Sequence, residues 1–145
     1  DPHDPANRRR GALETALGAK GIVQMARELG MPAPLSPKKL LAAARRGDEK
    51  AHQVVVRIAE RIALAVAAVV PVVDPELVIL GGGIGRNGDL LLEPVERELR
   101  VISPFQPRLE VSALGEDAEL TGAVALALQT AQDVLFTRER KAIAT

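Results

Sequence analysis

Several residue types that support metal binding or ring stacking are absent from this sequence or nearly so. It contains no cysteine, tryptophan or tyrosine, and only two histidines and two phenylalanines. Without cysteine the chain cannot form a disulfide or a thiolate metal site, so we expect a cytoplasmic protein. Two histidines are too few for a histidine-rich metal site. Stacking of bases or sugar rings on Phe105 and Phe136 alone would be very limited.

An excess of charge of either sign is also absent. The 19 basic and 19 acidic side chains cancel, so no overall field would attract the chain to nucleic acid or to an anionic membrane. We expect contact with DNA only through a domain outside this chain. The uncharged apolar run at residues 62–73 is much shorter than the roughly 20 residues of a membrane-spanning helix. Residues 1–10 lack the apolar segment of a signal peptide, so no membrane partner is expected.

The first half of the chain has apolar residues at helical spacing. A first helical segment covers residues 11–29, with Gly18 and Gly21 as weak points or a break. Gly30 follows as a C-terminal stop signal. The sequence therefore predicts one helix here that is weakened or interrupted by glycine.

Two more helices are predicted before the first strand. Ser36 followed by Pro37 is a good N-cap for a helix that runs to about Arg46. A long helix then covers residues 49–70, and its second half is apolar all round, which predicts burial on every side. Pro71 lacks an amide hydrogen, so we expect this helix to end or kink near it.

The second half of the chain contains two short strands. Residues 77–80 are continuously apolar, as in strands that are buried on both faces of a parallel sheet. The second strand covers about residues 108–113. Two short strands cannot make a stable sheet by themselves. We therefore expect further strands before Asp1, with residues 1–10 as an N-terminal loop.

A helix is predicted after each of these strands. Asp89 would cap the first one, and its regular part would span residues 94–101, because Pro94 is tolerated only in a first turn. The last helix opens at residues 116–117 and is strongly apolar. Residues 138–145 form a tail that we expect to fray.

The first strand runs directly into three consecutive glycines, Gly81, Gly82 and Gly83. Ligands of open α/β folds bind at the carboxyl edge of the sheet. Glycine lets a bulky anion approach the backbone amides without a Cβ in the way. The loop therefore either holds phosphate or a nucleoside, or makes a tight turn with close helix packing.

Two phosphate-binding motifs can be compared with this loop. The segment from Gly83 to Gly88 formally fits GxGxxG. In the dinucleotide-binding motif the third glycine lies inside the helix, whereas Gly88 precedes the predicted cap Asp89, so we interpret the match as accidental. The phosphate loop GxxxxGK[ST] is absent from the sequence, which excludes P-loop chemistry.

Three segments in combination resemble the C-terminal part of the ROK family, which is named for repressors, open reading frames and kinases. They read RRRGALETALGAKGIVQMAREL, DPELVILGGGIGRNGDLLLEPV and SALGEDAELTGAVALAL, and the resemblance covers about residues 5–135. It implies a helix-rich α/β fold, namely part of a ribonuclease-H-like, actin-like ATPase. Residues 1–145 would supply a C-terminal lobe fragment with about five helices and two core strands.

The resemblance also implies which residues meet ligands. In family kinases the glycine loop contacts the nucleotide, so Gly81, Gly82 and Gly83 are the nucleotide-binding candidates. Residues 5–14 look like the CxCGxxGCxE segment of the family, whose glutamate contacts sugar hydroxyls. Glu14 is therefore the sugar-binding candidate, although a first-turn glutamate can also simply stabilise a helix N-terminus.

Two departures from the family pattern limit what this chain can do. Pro5, Asn7 and Ala12 occupy the three cysteine positions, so we expect the zinc site of the family to be lost. The DxGxT phosphate motif and the catalytic aspartate of the family lie N-terminal to the matched region. No residue here is a convincing general base, so we predict no catalytic residue in this chain and no activity of the chain alone.

Three functions stay open at this stage. The first is the sugar-effector-binding and oligomerisation part of a ROK transcriptional regulator whose DNA-binding domain is missing from this chain, and the loss of the cysteines favours it. The second is the C-terminal part of an ATP-dependent ROK sugar kinase, with ATP as cosubstrate. The third is an unrelated nucleotide-binding α/β domain. The expected partners are a sugar or sugar phosphate and a second copy of the protein, in a dimer or higher oligomer.

Overall fold

The structure is a computed structural model that describes residues 11–33 and 35–143. The N-terminal loop predicted at residues 1–10 lies outside the described residues. The chain divides into two compact units, residues 1–112 and residues 113–145. The first unit contains the candidate site and both strands.

The predicted first helix is two helices, α1 (Ala12–Leu17) and α2 (Ala19–Glu28). Gly18 breaks the chain between them in an extended conformation, with φ −66° and ψ 164°. Gly30 follows α2 with φ 70°, a left-handed conformation that favours glycine. The predicted break and the predicted stop are both confirmed.

The next two helices, α3 (Pro37–Arg45) and α4 (Glu49–Val73), both begin at a side-chain cap. The hydroxyl of Ser36 and the carboxylate of Asp48 each accept a hydrogen bond from a first-turn amide, at 3.3 and 2.9 Å. Such caps satisfy amides that have no partner inside the helix. The cap predicted at Ser36 is confirmed.

The end of α4 lies close to the predicted one. The helix continues through Pro71 and ends at Val73, near the proline at which the sequence predicted an end or a kink, although the predicted range stopped at residue 70. Pro71 lies in the last turn, where its missing amide removes a single helical hydrogen bond. Asp74 then takes a left-handed conformation with φ 49°, and its amide donates to the carbonyl oxygen of Val70.

Strands β1 (Leu77–Leu80) and β2 (Arg108–Val111) are parallel, and Leu80 pairs with Val111. The prediction that β1 is buried on both faces is wrong for this chain, because Ile79 is 59% exposed. Leu80 and Leu109 are buried on the face that packs against the core. The described sheet has two strands, and alternate residues along a strand point to opposite faces, so one face stays open.

The segment after β1 also differs from the prediction. A four-residue helix, α5 (Gly82–Gly85), is followed by α6 (Gly88–Ile102), so the regular helix begins well before Pro94. The N-cap position of α6 is held by Asn87 rather than by Asp89. Pro94 is buried inside α6, where the apolar side chains beside it favour the helix despite the lost hydrogen bond.

The hydrophobic core of the first unit surrounds α4. Helices α3 and α6 pack against α4, and α6 does so over much of its length. The largest fully buried side chains come from α2, α3, α4 and α6, namely Ile22, Met25, Leu40, Val54, Val55, Ile58, Leu91, Val95 and Leu99. Burial of this apolar surface is the main force that holds the helices around the sheet.

The second unit contains a single 3-10 turn (Gly115–Asp117) and a long helix, α7 (Ala118–Ile143). The helix includes most of the segment that we expect to fray, and fraying stays a prediction. The described residues thus form seven α-helices, rather than about five. Gly18 splits the first predicted helix, and the glycine loop adds α5. Within the described ranges, none of these helices combines the length and the apolarity that crossing a membrane requires.

Candidate functional site

A cleft of about 680 Å³ lies between the first helices and the glycine loop. Glu14 and Gly18 line it from α1 and the break that follows. Helix α3 and its N-cap contribute the polar residues Ser36, Lys38 and Arg45. The segment after β1 contributes Gly81, Gly83, Arg86 and Asn87. The cleft therefore brings together the sugar candidate Glu14 and two of the three nucleotide candidates.

The three consecutive glycines are exposed at the carboxyl end of β1. Among the described residues, and apart from its chain neighbours, a Cβ added at Gly82 or Gly83 would meet no atom within 4 Å, and one at Gly81 would meet the Cβ of Ser112, at 3.8 Å. Gly82 also has φ 70°, which a residue with a side chain rarely adopts. The backbone here is thus exposed, with Gly81 and Gly83 lining the cleft, and nucleotide contact at Gly81, Gly82 and Gly83 stays a prediction.

Two later glycines of the same segment have a packing role instead. A Cβ at Gly85 would lie 2.9 Å from the carbonyl carbon of Leu80, and one at Gly88 would collide with Cγ2 of Val111. Gly88 is the first residue of α6, so our reason for dismissing the GxGxxG match, that Gly88 precedes the helix, was wrong. The close contact that Gly88 allows is with β2.

Glu14 lies in the first turn of α1 and is exposed. Its side chain extends toward the break between α1 and α2, because a Cβ added at Gly18 would lie 2.6 Å from Oε1 of Glu14. A side chain at Gly18 would therefore displace the carboxylate from the edge of the cleft. The sugar contact itself stays a prediction.

The zinc site of the family corresponds to Pro5, Asn7 and Ala12 in this chain. Pro5 and Asn7 lie outside the described residues, and Ala12 is the first residue of α1. Within residues 11–33 and 35–143, no cluster of three or more histidine, cysteine or acidic side chains could hold a metal ion. The loss of zinc stays a prediction from the sequence.

Arg45, which lines the cleft, forms an ion pair that the sequence did not predict. Arg45, in the last turn of α3, donates from Nε to Oδ2 of Asp89 at 2.6 Å and from Nη2 to Oδ1 at 2.7 Å. The same Nη2 donates to Oδ1 of Asn87 at 2.9 Å. This paired fork is the strongest geometry that an arginine and a carboxylate can form.

Asn87 extends this contact into the glycine loop. Its Nδ2 donates to the carbonyl oxygens of Gly83 at 3.0 Å and of Ile84 at 2.9 Å. Arg45 and Asn87 are 42 positions apart, so no local pattern could have linked them. The available signals were only an asparagine beside a glycine at a helix start and an arginine at a helix end.

The pair changes the acidity of both partners. The hydrogen bonds from Arg45 lower the pKa of Asp89, an effect that desolvation partly opposes. The hydrogen bond to Asp89 likewise raises the pKa of Arg45. The charged forms of both side chains are therefore stabilised by the folded structure.

We expect the stability contributed by Asp89 to depend on pH. Because the pKa of Asp89 is lowered in the folded state, its contribution is full above the unfolded-state value of about 3.9 and is lost as the pH falls through the folded-state pKa. The two side chains are 43% and 54% exposed, so Asp89→Asn should cost less than about 1 kcal/mol at pH 7. Urea unfolding at pH 7 and pH 3 measures this cost. If Asp89→Asn costs as much stability at pH 3 as at pH 7, the ion pair with Arg45 does not lower the pKa of Asp89.

Comparison with known proteins shows the family. The family model described as ROK family matches residues 8–130. This chain belongs to the ROK family. The glucokinase of Thermotoga maritima is 36% identical to it over 134 residues, which cover 81% of this chain and 42% of the glucokinase. The ROK chain thus spans less than half the length of this curated relative.

Solved structures give the same assignment. A ROK family glucokinase from Streptomyces griseus, solved with glucose and AMPPNP, matches with a TM-score of 0.70 at 26% identity, over 82% of this chain and 45% of that one. A ROK family transcriptional regulator, a homologue of the E. coli MLC protein, matches with a TM-score of 0.60 over 70% of this chain and 29% of its own. Its identity of 24% shows the fold alone. The predicted family and the predicted partial actin-like fold are confirmed.

Proposed function

We propose that this ROK chain forms one side of the cleft in which a sugar kinase binds a hexose and ATP. In this proposal Glu14 contacts the sugar and the loop at residues 81–83 faces the nucleotide. The observation that carries it is that Glu14, Gly81 and Gly83 line one cleft, although they are far apart in the sequence. Two ligands that must react with each other need such a shared space.

The residues of the cleft suit these ligands. The carboxylate of Glu14 can accept hydrogen bonds from two adjacent sugar hydroxyls, which would orient the ring. Lys38 also lines the cleft, and its positive charge favours the phosphates of a nucleotide. The open glycine backbone allows these phosphates or the nucleoside to approach closely.

Phosphoryl transfer needs more than this part of the protein. It requires a base beside the attacking hydroxyl and positive charge at the transferred phosphate. We assign Glu14, the carboxylate that lines the described part of the cleft, to orienting the sugar rather than to the role of that base. We therefore propose that the base and the phosphate motif come from the region of the protein that its longer relatives share beyond this chain, and that the chain alone turns over no ATP.

The kinase is favoured over the regulator by the identity of 36% with a glucokinase. The regulator remains the second candidate, because Pro5, Asn7 and Ala12 replace the cysteines of the family pattern. In that case sugar would bind to the same cleft as an effector, and DNA would be contacted by another domain. A homodimer and a cytoplasmic location stay predictions in both cases.

The test uses the protein produced from its complete gene. Calorimetric titrations with glucose and with AMPPNP measure binding, and a coupled assay of ADP formation measures turnover. We expect both ligands to bind and ADP to form only when sugar is present. Binding of neither ligand would overturn the proposal, and sugar binding that releases operator DNA without ADP formation would replace the kinase with the regulator.

A further inference from the structure

The geometry points to Arg45 as a positioning residue for the glycine loop. We propose that it acts through Asn87 and Asp89 to hold the backbone of Gly81, Gly82 and Gly83 in its open arrangement, and so sets the affinity for nucleotide. The inference rests on the proposed nucleotide contact of this loop. The inference goes beyond the proposed nucleotide contact, because it assigns a role to the side chains of Arg45, Asn87 and Asp89.

The hydrogen bonds of Asn87 define the orientation of its side chain. Asn87 is only 9% exposed, and its Nδ2 donates to the carbonyl oxygens of Gly83 and Ile84. Its Oδ1 is the acceptor for Nη2 of Arg45. An amide has two N–H donors and one carbonyl oxygen, so both donors of Asn87 are committed to the loop and its oxygen to Arg45.

The glycine loop is too short to hold its shape as an independent helix. Helix α5 has four residues, far fewer than a helix needs to be stable alone. Its backbone hydrogen bonds run from the amides of Gly85, Arg86 and Asn87 to the carbonyl oxygens of Gly81, Gly82 and Ile84, at 3.1, 3.3 and 3.1 Å. Glycine also loses more backbone entropy on folding than other residues. The side-chain hydrogen bonds from Asn87 therefore add to the close packing of Gly85 against Leu80 in ordering the loop.

Arg45 links this loop to the rest of the cleft. It lies in the last turn of α3, whose buried residues include Leu40 and Leu41. The guanidinium contacts Asn87 and Asp89 on either side of Gly88, where α6 begins. The loop is thus attached to α3 as well as to its own neighbours along the chain.

Arg45 also lines the cleft, so a direct contact with nucleotide is the competing role. The combination of Asn87→Asp with Arg45→Ala separates the two roles. The new carboxylate still accepts a hydrogen bond from Arg45, but it places a negative oxygen against the carbonyl oxygens of Gly83 and Ile84. If Arg45 acts through the loop, the second change adds nothing to the effect of the first. If Arg45 contacts the nucleotide directly, the two effects multiply in the combined variant.

The experiment uses the protein from its complete gene and measures AMPPNP and glucose affinity by calorimetry. The variants are Arg45→Ala, Asn87→Asp and the two combined. Arg97→Ala is the matched control, because the Arg97 side chain is 47% exposed, against 43% for Arg45, and pairs with Glu93 on α6 away from the loop. We expect each loop variant to bind AMPPNP about tenfold more weakly, and the combined variant no more weakly than the single ones. Glucose affinity should stay within about twofold, and Arg97→Ala should match the wild type.

Three results would overturn the inference. The first is an AMPPNP affinity of Arg45→Ala equal to that of Arg97→Ala. The second is an AMPPNP affinity of Asn87→Asp equal to that of the wild type. The third is a combined variant in which the two losses of affinity multiply. If Arg45→Ala does not fold, Asp89→Asn decides, since it keeps Arg45 and Asn87 and should weaken AMPPNP binding by about twofold to fivefold. Wild-type protein that binds no AMPPNP would overturn the kinase proposal and this inference together, whereas the three results above would overturn this inference alone.

Discussion

Glu14→Ala should lower the affinity for glucose about a hundredfold. Glu14 lies at the edge of the cleft, where its carboxylate would accept hydrogen bonds from sugar hydroxyls. Hydrogen bonds to a charged group contribute about 1.5–3 kcal/mol, and each 1.4 kcal/mol is a factor of ten in affinity. Calorimetric titration of glucose into the protein from its complete gene measures the loss. AMPPNP affinity should change little, because the proposal assigns the nucleotide to the glycine loop and not to Glu14.

A second first-turn glutamate provides the control for Glu14. Glu49 lies in the first turn of α4 and is exposed, and it does not line the cleft. Both glutamates favour a helix N-terminus, a contribution of about 0.3–1 kcal/mol to stability. Glu49→Ala should therefore lower stability as Glu14→Ala does, and leave glucose affinity unchanged. Equal glucose affinity in the two variants would show that Glu14 only stabilises α1.

Gly21→Ala should destabilise the protein by about 2–3 kcal/mol, although alanine is the better helix former. Gly21 lies in the first turn of α2, where the backbone of α1 approaches it. A Cβ there would collide with the carbonyl oxygen of Thr15 and lie 2.6 Å from that of Ala16. That carbonyl is also held by Arg61, whose Nη1 donates to it at 2.8 Å. The backbone therefore has little freedom to move away.

The control for Gly21 is another glycine inside a helix. Gly122 lies in α7, and a Cβ added there would meet no described atom within 4 Å. Gly122→Ala should leave the free energy of unfolding unchanged or raise it by up to about 1 kcal/mol. Urea unfolding of both variants measures the difference. If Gly21→Ala is as stable as the wild type, α1 does not pack on α2 as the structure places it.

Local patterns predicted most of the helices and both strands. The break at Gly18 and the cap at Ser36 depend on the chemistry of one or two residues, and both are confirmed. The cap at Asp89 was predicted wrongly because its carboxylate pairs with Arg45, 44 positions earlier in the chain. A cap preference cannot anticipate a partner at that distance. The prediction that β1 is buried on both faces was wrong, because such burial requires another element to cover the face on which Ile79 lies, and the sequence of the strand does not specify that element.

Glu14 and the glycines also show which properties are local in the sequence and which depend on the fold. Their residue types indicated a sugar contact and an open phosphate-binding backbone, since side-chain chemistry and φ preference are local properties. That they line one cleft follows from the packing of α1 and α6 against α4. The hydrogen bond from Arg45 to Asn87 likewise depends on how the helices pack. Such contacts join segments that are far apart in the chain, and the burial that holds them is shared among many residues, so only the folded arrangement specifies them.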